Sequence, residues 1–241
     1  MGRYSSQLSA QMADLVEVRQ GQRALDVGCG PGALTGELVH RIGADAVAAV
    51  DPSEPFVEAA RRRHPGVMVQ RATAEALPFD DDAFDAALAQ LVVHFMADPI
   101  AGLVEMRRVT RPGGAVAACV WDIAGERAPV STFWQAAREL ASGQEIDDES
   151  ARAGARRGHL VELMTAAGLR DVREAELVIS LEHATFESWW EPYTRGVGPA
   201  GGFVARLDDA ARAQLRERCR ALLPEPPFRI TAVAWAARGV V

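Results

Sequence analysis

The chain contains no lysine and no asparagine, so its 26 Lys/Arg positions are all arginine, against 33 acidic residues. Without asparagine there is no N-glycosylation acceptor, and the all-arginine basicity is the bias of a GC-rich bacterial coding sequence. Cysteine is scarce as well. Cys29, Cys119 and Cys219 are odd in number and lack C-x-x-C spacing, which argues against a disulfide framework and predicts free thiols in a reducing compartment. The five histidines are scattered and none has the spacing of a metal site, so no metal is expected. No apolar run approaches the length of a membrane span, and the first residues lack a charged-then-apolar signal segment. A cytoplasmic protein with no membrane partner is the expectation. The net charge of −7 argues against nucleic acid, whose backbone requires a basic surface. Arg61–Arg63 then reads as a solvated helix face.

Glycine, by contrast, is concentrated where it matters. Ala24-Leu-Asp-Val-Gly-Cys-Gly-Pro-Gly-Ala-Leu-Thr35 is a short apolar run that passes through Gly28, Gly30 and Gly32 into a helical pattern. Glycine permits positive φ and removes the Cβ that would hold a ligand off the backbone. Pro31 suits a helix start, and the free amides of a helix N-terminus face whatever lies above the strand ends. The same residues satisfy the G-x-G-x-x-G/A dinucleotide pattern. Asp26 shifts the reading: a carboxylate at a strand end needs a cation or donors. A pyrophosphate gives it neither, whereas an amino-acid tail brings an ammonium group.

Four stretches in order carry a resemblance to one family. Leu25–Gly32 resembles motif I of the class I S-adenosylmethionine-dependent methyltransferases. Ala46-Val-Ala-Ala-Val-Asp51 resembles their second strand, ending in the acidic residue that holds the ribose. Ala74-Glu-Ala-Leu-Pro-Phe79 with Phe84–Gln90 resembles the adenine loop and fourth strand. Glu105–Gly114 resembles the helix and turn before the fifth strand. The resemblance covers the first half of the chain closely and the last third in outline. It implies a Rossmann-like α/β fold: a seven-stranded, mostly parallel sheet with helices on both faces and a small helical insert over the cofactor side. It implies S-adenosylmethionine as cofactor, held by Asp26, Gly28, Cys29, Gly30 and Gly32, by Asp51, Pro52 and Ser53, by Ala74 and Glu75, and by Gln90 and Leu91. Arg3 and Tyr4 would lie over its methionine end. Thr73 departs from the family, many of whose members carry an acidic residue there for the adenine amino group.

One domain over residues 1–241 is expected: a lead-in helix in 1–20, a core over 21–122, cap segments at 123–157 and 182–228, and a final strand at 229–241. Strands at 23–29, 46–50 and 67–70 alternate with helices at 33–42 and 54–63, the pattern of right-handed βαβ units. Strands at 84–90 and 115–121 follow, then strands at 171–181 and 229–238, which the resemblance would make the antiparallel pair at the sheet's edge. The acidic run 147–149 reads as a solvated loop, and the glycine-rich 196–202 as flexible.

Ligands of open α/β sheets bind beyond the carboxyl ends of the strands, which puts Gln90 and His94 near the reacting centre. His94, whose ordinary pKa lies near neutrality, is a candidate general base, against a packing role. Trp121, Trp189, Trp190 and Tyr193 are candidates for an acceptor wall, the last three equally readable as a hydrophobic anchor for the insert. The leading function is methyl transfer to a small, largely apolar acceptor. Two rivals stay open: an NAD(P)-dependent oxidoreductase, and a non-catalytic protein that binds S-adenosylmethionine. The acceptor and the oligomeric state are not legible.

Overall fold

A computed structural model describes residues 2–141 and 146–241, the side chains of residues 2 and 3 aside. Its centre is one seven-stranded sheet: β1 (Ala24–Val27), β2 (Val47–Asp51), β3 (Met68–Arg71), β4 (Phe84–Gln90), β5 (Thr110–Trp121), β6 (Arg170–His183) and β7 (Phe228–Val240). The spatial order is β3-β2-β1-β4-β5-β7-β6. Only β7 runs against the rest, antiparallel to both β5 and β6. β6 and β7 are therefore the expected antiparallel pair at one edge of the sheet, each a few residues longer than its alternating pattern indicated.

Strands buried on both faces read as continuous apolar runs, and β1 and β2 are buried along their whole length. Their side chains alternate between two cores. On one face pack α1 (Gly2–Leu15), α2 (Ala33–Ile42) and α3 (Glu54–Arg63), through Leu8, Met12, Leu38 and Val57. On the other pack α4 (Pro99–Val109) and α6 (His159–Ala166), through Leu103, Met106, Leu160 and Met164. Local chemistry sets the ends. Gly43 at φ 87° stops α2, and Asp98 caps α4 by accepting from the Ala101 amide at 3.0 Å, with Pro99 following.

Chain order reverses at β1, whose parallel neighbours are β2 and β4. The crevice beyond the carboxyl ends of β1 and β4 is thus the switch point where such sheets take ligands.

A cap rises above that end of the sheet, made of α5 (Ser131–Leu140), α7 (Phe186–Trp190), α8 (Gly198–Ala205) and α9 (Asp209–Leu222). It differs from the sequence reading in two places. The stretch 196–202 is not a flexible connector: most of it lies in α8, where Gly201 lies so close to the Gly196 backbone that an added Cβ would come within 3.0 Å of it. Glycine there permits close packing rather than motion. In the acidic run, Glu149 is turned inward and buried, with Arg152 at 3.5 Å, while Asp147 stays exposed.

The β6–β7 ladder continues beyond β5. Trp121, the last residue of β5, is level with Ala234 and hence with Leu177, and six more pairs follow, out to His183 opposite Phe228. At about 3.3 Å per residue this arm overhangs the sheet by roughly 20 Å. Helix α1 runs along it, with Gln11 donating to the Val178 carbonyl at 3.0 Å and Tyr4 reaching His183.

Candidate functional site

The glycine turn leaves β1 under tight control. The amides of Gly28 and Cys29 both donate to the Val50 carbonyl, at 2.8 and 2.9 Å, locking the turn to β2. All three glycines have positive φ, but for different ends. A Cβ on Gly28 would lie 2.5 Å from Val92, and one on Gly32 would lie 2.7 Å from the His64 ring. Those two allow the protein to pack against itself. Gly30 faces open space, with nothing within 4 Å of an added Cβ. It is the one place in the turn where a ligand can rest directly on backbone. Gly32 then heads α2 with no side-chain cap, leaving the helix amides available.

Two carboxylates flank this opening. Asp26 is 1% exposed and accepts from the Thr35 hydroxyl at 2.6 Å, and from the Thr35 amide. Burial outweighs these bonds and lifts its pKa to about 7, with the negative Asp51 nearby adding to the rise. No cation among the described residues pairs with it, so the site has room for a positive charge from a ligand. Asp51 ends β2 and binds the Gly30 amide through Oδ2 and the Ser53 amide through Oδ1, each at 2.9 Å. It ties the turn to the start of α3. Ser53 is the residue at the head of that helix, although its side chain makes no cap, and Pro52 is exposed.

Ala74 is buried, and Glu75 accepts from the Ala97 and Asp98 amides, at 2.8 and 3.3 Å, fastening its loop to the segment ahead of α4. Thr73 is exposed. Leu77 is buried and Phe79 is packed edge-on against Phe84, both serving the core as their apolar character predicts.

At the end of β4, Gln90 donates to the Ser5 carbonyl of α1 at 3.0 Å, while its Oε1 is buried with no partner among the described residues. Leu91 sits at φ 62°, a left-handed backbone that a leucine adopts only under constraint, with its amide held by the Cys119 carbonyl. His94 follows in a 3-10 turn, Val93–Phe95. Burial and then the Arg152 charge push its pKa down to about 4, and its Nδ1 is buried without a partner among the described residues. The ring is therefore neutral at physiological pH and only weakly basic.

The first turn of α1 closes the opening. Tyr4 is buried, meets Trp121 edge-on at 6.4 Å at the carboxyl end of β5, and pairs with His183 at 2.6 Å. Arg3 belongs to the same turn, but its side chain lies outside the described residues. Trp189, Trp190 and Tyr193 come together in one aromatic cluster: Tyr193 stacks on Phe133 of α5 at 4.7 Å, and Trp189 meets Tyr193 at 5.0 Å. All three are buried. The cluster fastens α7 to α5, as an anchor does, and the Nε1 atoms of Trp121 and Trp189 are buried without partners among the described residues. An open space of about 640 Å³ lies elsewhere, between α5, α8 and α9. Its lining includes neither the buried carboxylate Asp26 nor the open backbone of Gly30.

Thr35, Ser5 and His183 were not legible as site residues. Thr35 carries a faint signal, nine positions beyond Asp26 across a known turn. His183 carries none, since 179 residues separate it from Tyr4. No group of side chains able to hold a metal occurs among the described residues, and no described helix is long and apolar enough to cross a membrane.

The fold and this turn define a Rossmann-like protein built to hold a nucleoside cofactor with a cationic tail. Comparison with known proteins agrees. Residues 25–118 match the model of a methyltransferase domain family. The demethylmenaquinone methyltransferase of Clavibacter sepedonicus is 32% identical over 199 residues, covering 77% of each chain. The malonyl-[acyl-carrier protein] O-methyltransferase of Erwinia billingiae is 38% identical over 106 residues, 44% of this chain and 41% of that one. Among solved structures, the YcgJ protein of Bacillus subtilis superposes with a TM-score of 0.62 at 20% identity, over 99% of this chain and 98% of its own. The chain belongs to the class I S-adenosylmethionine-dependent methyltransferase family. It spans less than half the length of several of the curated relatives that it matches.

Proposed function

We propose that the protein transfers the sulfonium methyl of S-adenosylmethionine to a small, largely apolar acceptor. The observation that carries this reading is Asp26, a buried carboxylate with no cationic partner among the described residues, in the strand that runs into the open backbone of Gly30. An amino-acid tail fits that pair of features, because its ammonium group offsets the buried charge while the nucleoside passes over the glycine. Asp51 keeps lone pairs on both oxygens after accepting one amide on each, enough to accept from two ribose hydroxyls. The amides heading α2 face the carboxylate of the tail. Ala74, Glu75 and Leu91 border the base, and the Tyr4 ring covers the methionine end together with Gln90.

The cofactor supplies an already activated methyl group. What the chain adds is alignment: holding two reactants in line contributes up to about 7–11 kcal/mol to such a reaction. His94, kept neutral by burial, serves here as a hydrogen-bond acceptor that shapes the pocket. Isothermal titration with S-adenosylmethionine, S-adenosylhomocysteine and NAD tests the reading. Binding of the first two, but not of NAD, is the expected result. Binding of NAD alone would replace the proposal with an oxidoreductase. Tight binding of both sulfur ligands without transfer to any acceptor would leave a regulatory binding protein.

A further inference from the structure

The Tyr4 hydroxyl and the His183 Nε2 are 2.6 Å apart, on residues that are 7% and 2% exposed. One comes from the first turn of α1 and the other from the far end of β6, so the fold brings together two groups distant in the chain. Burying a phenol and an imidazole costs free energy that an apolar contact would avoid. Anchoring α1 to the arm therefore does not by itself explain the choice of residues. The imidazole is also fixed in orientation: it stacks on Phe228 at 5.5 Å, and its Nδ1 lies 3.5 Å from the Ser188 hydroxyl. With Nε2 accepting from the phenol, Nδ1 carries the proton and faces Ser188.

The position is as telling as the pairing. The Tyr4 ring adjoins Trp121 at the end of β5, and the carbonyl of the next residue, Ser5, holds Gln90 at the end of β4. The phenol thus stands over the strand ends that face the cofactor crevice. His94, which follows the end of β4, is a weak base because of its burial and of Arg152. We propose that Tyr4 and His183 form a proton-accepting pair for the methyl acceptor, and that the acceptor carries a hydroxyl group, phenolic or enolic.

The inference rests on the methyl-transfer reading above. As the acceptor oxygen forms its bond to the methyl carbon, the carbon–sulfur bond breaks and its electron pair stays on sulfur. The acceptor's proton passes to Tyr4 Oη while the Tyr4 proton passes to His183 Nε2. A positive charge leaves sulfur as one appears on His183, so the net charge of the site is the same before and after. The proton leaves to water when the products depart. Tyr4 is the catalytic residue, and His183 is the positioning residue that makes it basic.

The test uses para-nitrophenol, whose phenolate is yellow, with full-length protein saturated with S-adenosylhomocysteine at a pH where the free probe is mostly neutral. Wild type should bind it as the phenolate. Tyr4→Phe keeps the ring and should leave the bound probe colourless. His183→Gln keeps an acceptor for the Tyr4 hydroxyl, so it preserves an anchor while removing the proton store, and it should also be colourless with S-adenosylhomocysteine affinity unchanged. With S-adenosylmethionine present, transfer to para-nitrophenol should fall by roughly 10²–10⁴-fold in both variants. Transfer to para-nitrothiophenol, already ionised, should be spared. No bound phenolate in wild type, or a full phenolate signal in His183→Gln, overturns the proposal. So does a loss of colour that only tracks loss of S-adenosylhomocysteine binding and of Tm, which assigns the pair to anchoring. Failure of the methyl-transfer reading looks different: wild type then does not bind S-adenosylhomocysteine.

Discussion

Replacing Asp26 by Asn should stabilise the ligand-free protein at alkaline pH and weaken cofactor binding. In the folded chain Asp26 is protonated up to a pKa of about 7, whereas its ordinary value is 3.8. A group whose folded pKa is raised lends its full stability below the unfolded pKa and loses it as pH rises through the folded one. The folded protein therefore weakens between about pH 4 and pH 7. The rise of about three pH units, at about 1.4 kcal/mol each, makes the charged Asp26 cost about 4 kcal/mol by pH 8. Full burial leaves no solvent screening to discount. Asn escapes that cost, and its carbonyl can still accept from the Thr35 hydroxyl. Its amide group meets the Thr35 N–H less well, but that penalty does not vary with pH. The quantity to read is thus the gap in Tm between variant and wild type, by calorimetry from about pH 5 to pH 8. About 1.6 kcal/mol of that cost is already present at pH 5, so about 2.6 kcal/mol is added by pH 8; at roughly 2–4 °C per kcal/mol for a chain of this size, the gap should widen by about 5–10 °C. S-adenosylhomocysteine should close much of it, because its ammonium group stabilises the wild-type carboxylate. The variant should bind it roughly 10–100-fold more weakly, the loss of a hydrogen bond to a charged group. Parallel Tm curves for the two proteins across this pH range would refute the argument.

Asp51→Ala should weaken S-adenosylhomocysteine by about 1.5–3 kcal/mol in isothermal titration. It should also lower Tm, because the amides of Gly30 and Ser53 lose their acceptor. Gly30→Ala should fold at a cost of about 1–2 kcal/mol for its left-handed backbone, yet fail to bind cofactor, since the new methyl group fills the space the ligand rests in; unchanged affinity would mean that the ligand lies elsewhere. Trp189→Ala should destabilise by about 3–5 kcal/mol in denaturant titration, the range for removing a buried tryptophan. A small loss of stability with a large loss of acceptor use would restore Trp189 to the acceptor wall. NMR titration of His94 should show a neutral ring down to about pH 4. A histidine with a lowered folded pKa supports stability above about pH 6.5 and withdraws it as pH falls towards 4, so His94→Gln should flatten part of the acid limb of the Tm profile.

The βαβ half of the molecule was readable because each of its signals is local. A strand that buries both faces spells out its apolar run, and glycine marks the turn where φ must be positive. The helices at 33–42 and 54–63 have the bounds that spacing indicated. The cap was harder, because its structure depends on distant contacts. Gly201 looks like a breaker until the Gly196 backbone is packed against it, and Glu149 looks solvated until Arg152 folds over it. At the site, Asp26 and Asp51 announced themselves by position along the chain. That Asp51 spends part of its capacity on two amides, and that Tyr4 meets His183, depend on how β6 and α1 cross, which no short window of sequence records.

The overhanging β6–β7 arm has a bearing on how such a chain can change. His183 and Phe228 face each other across the ladder, so the intervening residues 184–227 enter and leave through a gap of about 5 Å. A segment whose ends meet at one rung can be exchanged like a tool in a fixed handle, without moving any strand that holds the cofactor. A tight turn would close the rung if the segment were removed, and a different helical cap could be grafted there.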